Sequence, residues 1–128
     1  MIKYLSYFNL FTGIILLALS RNNQNSFDFL AILPILLFNW VSLFHLLKNN
    51  LKLGRWHFYL GYTCIFLSII SIAANGILFT HLFFLKNTAI EFSFFLILIR
   101  LIFDISVVFQ VITAIKVSKN LSQGPQEN

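Results

Sequence analysis

One arginine and one aspartate, Arg100 and Asp104, lie within the otherwise apolar stretch FLILIRLIFDIS at residues 95–106. Residues four apart occupy the same face of a helix, so the two side chains can form an ion pair. A charged side chain at the centre of a bilayer costs at least ~2.5–3.5 kcal/mol on insertion scales, and such residues often belong to proton or ion pathways. The pair therefore predicts either a buried structural link between helices or a site of proton or ion transfer.

A stripe of small and polar residues in the preceding apolar run could supply partners for this pair. Gly61, Cys64 and Ser68 form its first half, and Ser71 and Asn75 form its second half. Small residues at spacings of three and four let membrane helices approach closely, so the first half predicts helix packing. If the two runs form an antiparallel hairpin that turns near residue 88, helix rise places Asn75 opposite Arg100. The same register places Ser71 opposite Asp104, which completes an intramembrane polar network.

The composition indicates that these helices lie in a membrane. Of the 128 residues, 59% are hydrophobic and only 10% are charged, and the mean hydropathy is +0.85. Soluble domains carry about 25% charged residues, so this deficit favours lipid as the surrounding solvent. The net charge is +5, but the basic residues are scattered singly. Without a basic stripe or a nucleic-acid-binding motif, we expect no nucleic-acid partner.

Four apolar runs predict four transmembrane helices, at about 2–20, 27–47, 57–85 and 91–115. Each run has the roughly 20 residues that a helix needs to cross the hydrocarbon core. Short connections make consecutive helices antiparallel neighbours. We therefore predict an all-α integral membrane protein, folded at residues 1–120 as an up-down-up-down bundle of four transmembrane helices. A short polar tail follows at 121–128.

The first run also resembles a secretory signal peptide. Lys3 precedes an apolar stretch that ends in Ala18-Leu19-Ser20, a sequence similar to a cleavage site. We expect the segment to be retained as the first span of the bundle.

The distribution of lysine and arginine predicts the orientation of the bundle. One side of the membrane would carry Lys3, Lys48, Lys52, Arg55, Lys116 and Lys119, and the other side only Arg21 and Lys86. Basic loops are enriched on the cytoplasmic side. We therefore expect both termini to be cytoplasmic, in a bacterial inner membrane or in the equivalent orientation in an organellar membrane.

Three amide side chains add polar groups in the inner half of the predicted bundle. Asn9 and Asn39 lie at similar depth and could pair across the first hairpin. Gln110 lies in the fourth span, about a quarter turn from the face that carries Arg100. Its amide could contact another helix or another protein.

We expect no cofactor. Two histidines leave a haem site as the alternative. His45 ends the second run and His57 opens the third, so both would lie at the inner membrane edge. Bis-histidine haem ligation needs two facing histidines at matched depth. No spacing of Cys, His, Asp and Glu predicts a metal site, and no nucleophile–base–acid set predicts an enzyme.

The sequence therefore favours a non-catalytic subunit, or an accessory or assembly protein, of a larger membrane complex. Its expected partners are the lipid bilayer and other membrane protein subunits, or further copies of itself. The alternative is a small homo-oligomeric transporter or channel that uses Arg100 and Asp104. In length and number of spans the chain is similar to small four-helix exporters, but its first span lacks their acidic residue.

Overall fold

The computed structural model describes residues 2–22, 26–48, 53–85 and 91–122, which form four helices and their immediate flanks. The helices are α1 (Ile2–Asn22), α2 (Ser26–Leu47), α3 (Arg55–Leu85) and α4 (Glu91–Ser122). Each of the four predicted spans falls on one of these helices. Residues 123–128 of the predicted tail lie outside the described part of the chain.

The largest difference from the predicted bounds is at the end of α4, which continues to Ser122 instead of ending near residue 115. This last segment is amphipathic. Ser118 is buried, whereas Lys116 and Lys119 are exposed. Hydropathy detects where a helix leaves an apolar environment, but an amphipathic helix can continue beyond that point because one face still packs against protein.

Three of the helices are long and apolar enough to cross a membrane. Their apolar windows are Ile2–Leu19, Arg55–His81 and Phe94–Asn120. The second helix has 22 residues and contains Pro34, and Leu30–His45 is the apolar stretch whose side chains the structure describes. The described residues thus form four apolar α-helices, three of them long enough to cross a membrane, and this indicates a membrane protein.

The four helices form a ring in which each packs against its neighbours in sequence, and α1 closes the ring against α4. Their buried faces build one apolar core, with contributions from every helix, that includes Leu16, Ile35, Phe38, Cys64, Phe103 and Val107. Large hydrophobic side chains also cover the outside of all four helices, among them Phe11, Trp40, Phe66 and Phe109. A surface of this kind is stable when lipid or another protein covers it.

Glycines allow the closest approach between these helices at two points. At Gly13 of α1, an added Cβ would be 2.8 Å from Leu36 Cδ2 on α2. At Gly61 of α3, an added Cβ would be 3.1 Å from Val111 Cγ1 and 3.2 Å from Phe38 Cε2. The side chains of Phe38 on α2 and Val111 on α4 therefore both pack against α3 at Gly61.

Candidate functional site

The Arg100–Asp104 pair is buried at the contact between α3 and α4. Arg100 Nε lies 3.2 Å from Asp104 Oδ2, as expected for residues one helical turn apart. Asp104 is fully buried, and Arg100 is 6% exposed. The guanidinium carbon of Arg100 also lies 5.8 Å from the centre of the Phe103 ring. The pair is electrically neutral and shielded from the surroundings of the bundle by protein.

Ser71 on α3 connects the pair to the neighbouring helix. Its hydroxyl donates to Asp104 Oδ2 at 2.5 Å and accepts from Arg100 Nε at 3.2 Å. Asn75 Nδ2 donates to the same hydroxyl at 3.1 Å and to the Ser71 carbonyl at 2.8 Å. A serine hydroxyl has one donor and two acceptor sites, so Ser71 uses its full hydrogen-bonding capacity here.

These four residues form the α3–α4 network: Ser71, Asn75, Arg100 and Asp104. The sequence register placed Ser71 opposite Asp104, and the structure has this contact. Asn75 was expected opposite Arg100, whereas its amide donates to Ser71 one turn earlier on its own helix. Asparagine within a helix readily bonds to backbone and side chains one turn away, and it therefore joins the network through Ser71.

A second network joins α1 to α4. Asn9 Nδ2 donates to Gln110 Oε1 at 2.5 Å, and Gln110 Nε2 donates to Ser6 Oγ at 2.6 Å. All three side chains are fully buried. Gln110 thus contacts another helix of the same chain, and its burial leaves it no surface for the contact with another protein that the sequence also allowed. We call these residues the α1–α4 network.

Ser6 was not predicted as a partner of Gln110. Its spacing of three residues from Asn9 was the available signal, because that spacing places both on one face of α1. Asn9 and Asn39, which were expected to pair, are both fully buried but are not hydrogen-bonded to each other. The Asn39 amide donates instead to the Ile35 carbonyl of its own helix at 2.8 Å.

The predicted helix-packing residues of α3 all lie on its buried face. Gly61 touches α2 and α4, and Cys64 and Ser68 are fully buried. Near the start of this helix, the backbone N–H of Leu53 donates to Ser118 Oγ on α4 at 3.0 Å. No pattern in the sequence predicts this bond, because it depends on how far α4 continues beyond the apolar run.

His45 and His57 are brought together, but their geometry does not suit haem. The ring centres lie 4.8 Å apart in a T-shaped arrangement, which is direct contact and leaves no space for a macrocycle between the rings. His57 Nδ1 accepts the Gly54 N–H at 3.1 Å. In the neutral ring Nε2 then carries the proton and has no lone pair to offer to iron.

Within the described residues, no group of three or more His, Cys, Asp and Glu side chains could hold a metal ion. The thiol of Cys64 and the hydroxyl of Ser71 are both buried among the helices. The polar contacts described here therefore link helices and shield the charges of Arg100 and Asp104.

The fold and these contacts define a class: a helical protein with three helices long and apolar enough to cross a membrane, and with two interhelical polar networks. Comparisons of the chain with known protein families, with curated proteins and with solved structures give no match.

Proposed function

We propose that the protein is a non-catalytic subunit, or an accessory or assembly protein, of a larger membrane complex. The observation that carries this proposal is where the polar groups lie. The Arg100–Asp104 ion pair is joined to Ser71 inside the bundle, whereas the outer faces of the helices carry large apolar side chains. The apolar outer surface of such a chain suits contact with lipid and with other membrane proteins rather than binding of a soluble substrate.

The same proposal includes four membrane crossings in an up-down-up-down arrangement with both termini cytoplasmic. Three contacts support it: Leu53 with Ser118, His45 with His57, and Ser6 with Gln110. Each joins chain segments that this arrangement places at the inner end of the bundle. The excess of lysine and arginine in those segments supports the cytoplasmic side, in a bacterial inner membrane or an organellar membrane.

The outer face of α3 is the surface that we assign to a partner helix. Only 17% of the α3 span is buried within the protein, against 28% for α1 and 33% for α4. This helix also carries Ala73 on its exposed side, and a Cβ added at Gly76 would meet nothing within 4 Å. Small residues on an outward face suit close contact with another transmembrane helix.

Purification in mild detergent tests the partner directly. We expect the tagged protein to recover a different membrane protein in constant stoichiometry. Gly76→Leu should reduce that recovery several-fold, because the larger side chain separates the two helices. The matched control is Phe11→Leu on the exposed face of α1, which should leave recovery unchanged. Recovery of the chain alone as a homo-oligomer, with thermal stability that depends on an added ion or solute, would favour the transporter alternative.

Cysteine accessibility tests the proposed orientation. A cysteine at Asn23 should react with an impermeant thiol reagent applied from outside intact cells, whereas a cysteine at Asn49 should react only after permeabilisation. Cys64 is fully buried and gives little background in either case. The reverse labelling pattern would contradict the orientation drawn from lysine and arginine.

The buried ion pair itself is the observation that favours the second candidate, a small homo-oligomeric transporter or channel. Ionisable residues within membrane spans often move protons or ions. For such a role Asp104 would have to exchange Arg100 and Ser71 for solvent or substrate during a transport cycle. The two candidates predict different behaviour of Asp104 variants, as described in the Discussion.

A further inference from the structure

Three polar atoms near the α1–α4 network are buried without a hydrogen-bond partner among the described residues: Asn9 Oδ1, Asn39 Oδ1 and Ser42 Oγ. Asn9 and Asn39 are fully buried, and Ser42 is 3% exposed. A buried polar group left unsatisfied costs about 1–3 kcal/mol. Buried polar groups in folded proteins are bonded to protein or to ordered water in the large majority of cases.

Two of these atoms belong to residues beside a shared helix contact. A Cβ at Gly61 would touch the side chains of both Phe38 and Val111, and Asn39 and Gln110 are the immediate neighbours of those residues in sequence. Asn9 is bonded to Gln110, so its amide lies beside the same contact.

Ser42 belongs to the same face of α2 as Asn39, because it lies three residues further along the helix. Its hydroxyl can both donate and accept a hydrogen bond. Ser42 therefore adds a hydroxyl that can act as donor or acceptor, about one helical turn from the Asn39 side chain.

The chemistry of the three atoms points to a neutral molecule with two donors. The side-chain amide nitrogens of Asn9 and Asn39 donate to Gln110 and to the Ile35 carbonyl, and the atom that each leaves without a partner is its carbonyl oxygen. A cation would lack a compensating charge beside these atoms. Asp104 lies six residues from Gln110 along α4, about 9 Å by helix rise, and is paired with Arg100.

We propose that one ordered water molecule is bound here, with its two protons donated to Asn9 Oδ1 and Asn39 Oδ1 and its oxygen accepting from Ser42. Bound waters in protein interiors typically make about three hydrogen bonds of this kind. The water would give α2 its polar connection to α1. Among the described side chains of α2, none is hydrogen-bonded directly to another helix.

The test is a nuclear magnetic resonance experiment on protein with nitrogen-labelled asparagine in deuterated detergent. The Asn9 and Asn39 side-chain amides should each show a cross-peak to water with the sign that marks a long-lived bound molecule. Asn39→Leu should abolish the Asn9 cross-peak, because it removes one of the two carbonyl acceptors. The matched control, Asn75→Leu in the α3–α4 network, should retain it.

Each other outcome contradicts the proposal. The absence of both cross-peaks in the unchanged protein would show a dry interior, and this measurement requires no variant to fold. An Asn9 cross-peak that persists in Asn39→Leu would show that the water is not shared with α2. A thermal midpoint that rises when sodium replaces potassium at constant ionic strength in the unchanged protein, but not in Asn39→Leu, would show that a cation occupies these oxygens instead.

Discussion

Asp104→Asn should destabilise the protein more than the double change that combines it with Arg100→Gln. The single change removes the negative charge and leaves the Arg100 guanidinium buried beside Ser71 and Phe103. Breaking a buried ion pair by removing one partner costs about 3–5 kcal/mol. At roughly 4 °C per kcal/mol, the single variant should lose on the order of 10 °C of thermal stability in detergent.

The double variant should recover most of that loss. Glutamine and asparagine keep donors and acceptors for Ser71 and Asn75, and no unpaired charge remains in the bundle. Replacing both members of a buried pair by groups of similar shape is often close to neutral. The measurement is thermal unfolding of the single and double variants in one detergent, alongside the folded yield of each.

A transport role for Asp104 predicts another pattern. The single variant would then fold with unchanged stability but lose activity, and the second substitution would not restore it. A stable Asp104→Asn variant without rescue would contradict the structural role of the α3–α4 network and favour the transporter.

Gly61→Leu should strongly destabilise the bundle, whereas Gly76→Leu in the same helix should not. At Gly61 even a Cβ would lie 3.1 Å from Val111 and 3.2 Å from Phe38, and leucine adds three further carbon atoms. Forcing extra carbon atoms into a packed core typically costs about 1–3 kcal/mol, and occasionally more. The strain would separate α3 from both α2 and α4.

The comparison with Gly76 controls for helix propensity, which favours leucine over glycine at both positions by up to about 1 kcal/mol. A Cβ at Gly76 meets nothing within 4 Å, so the isolated protein should keep or slightly raise its Tm. Equal Tm values for the two variants would show that α3 does not pack tightly through Gly61. Because Gly76→Leu is expected to fold normally, any loss of partner recovery in that variant reports on the outer face of α3.

Hydropathy predicted the four helices well because each one is a long apolar run between short polar segments. It failed at the end of α4, where burial of Ser118 and exposure of Lys116 maintain the helix by amphipathicity.

The contact between Ser71 on α3 and Asp104 on α4 was also accessible from the sequence. A short turn fixes the register of a hairpin, and this register is enough to place Ser71 opposite Asp104. Contacts between the first and last helices have no such constraint. The partner of Asn9 is Gln110 rather than Asn39 because bundle closure brings α4 beside α1, and no local pattern in the sequence records that closure.

Because α4 contributes residues to both networks, the order in which the helices are synthesised affects when these networks can form. Its residues bond to Ser71 on α3, to Ser6 and Asn9 on α1, and to the start of α3 through Ser118. Because α4 is synthesised after α1 and α3, the polar groups of those two helices lack these interhelical partners until α4 is in place. Both networks can therefore form only in the last step of assembly of the four helices, when α4 docks against α1 and α3.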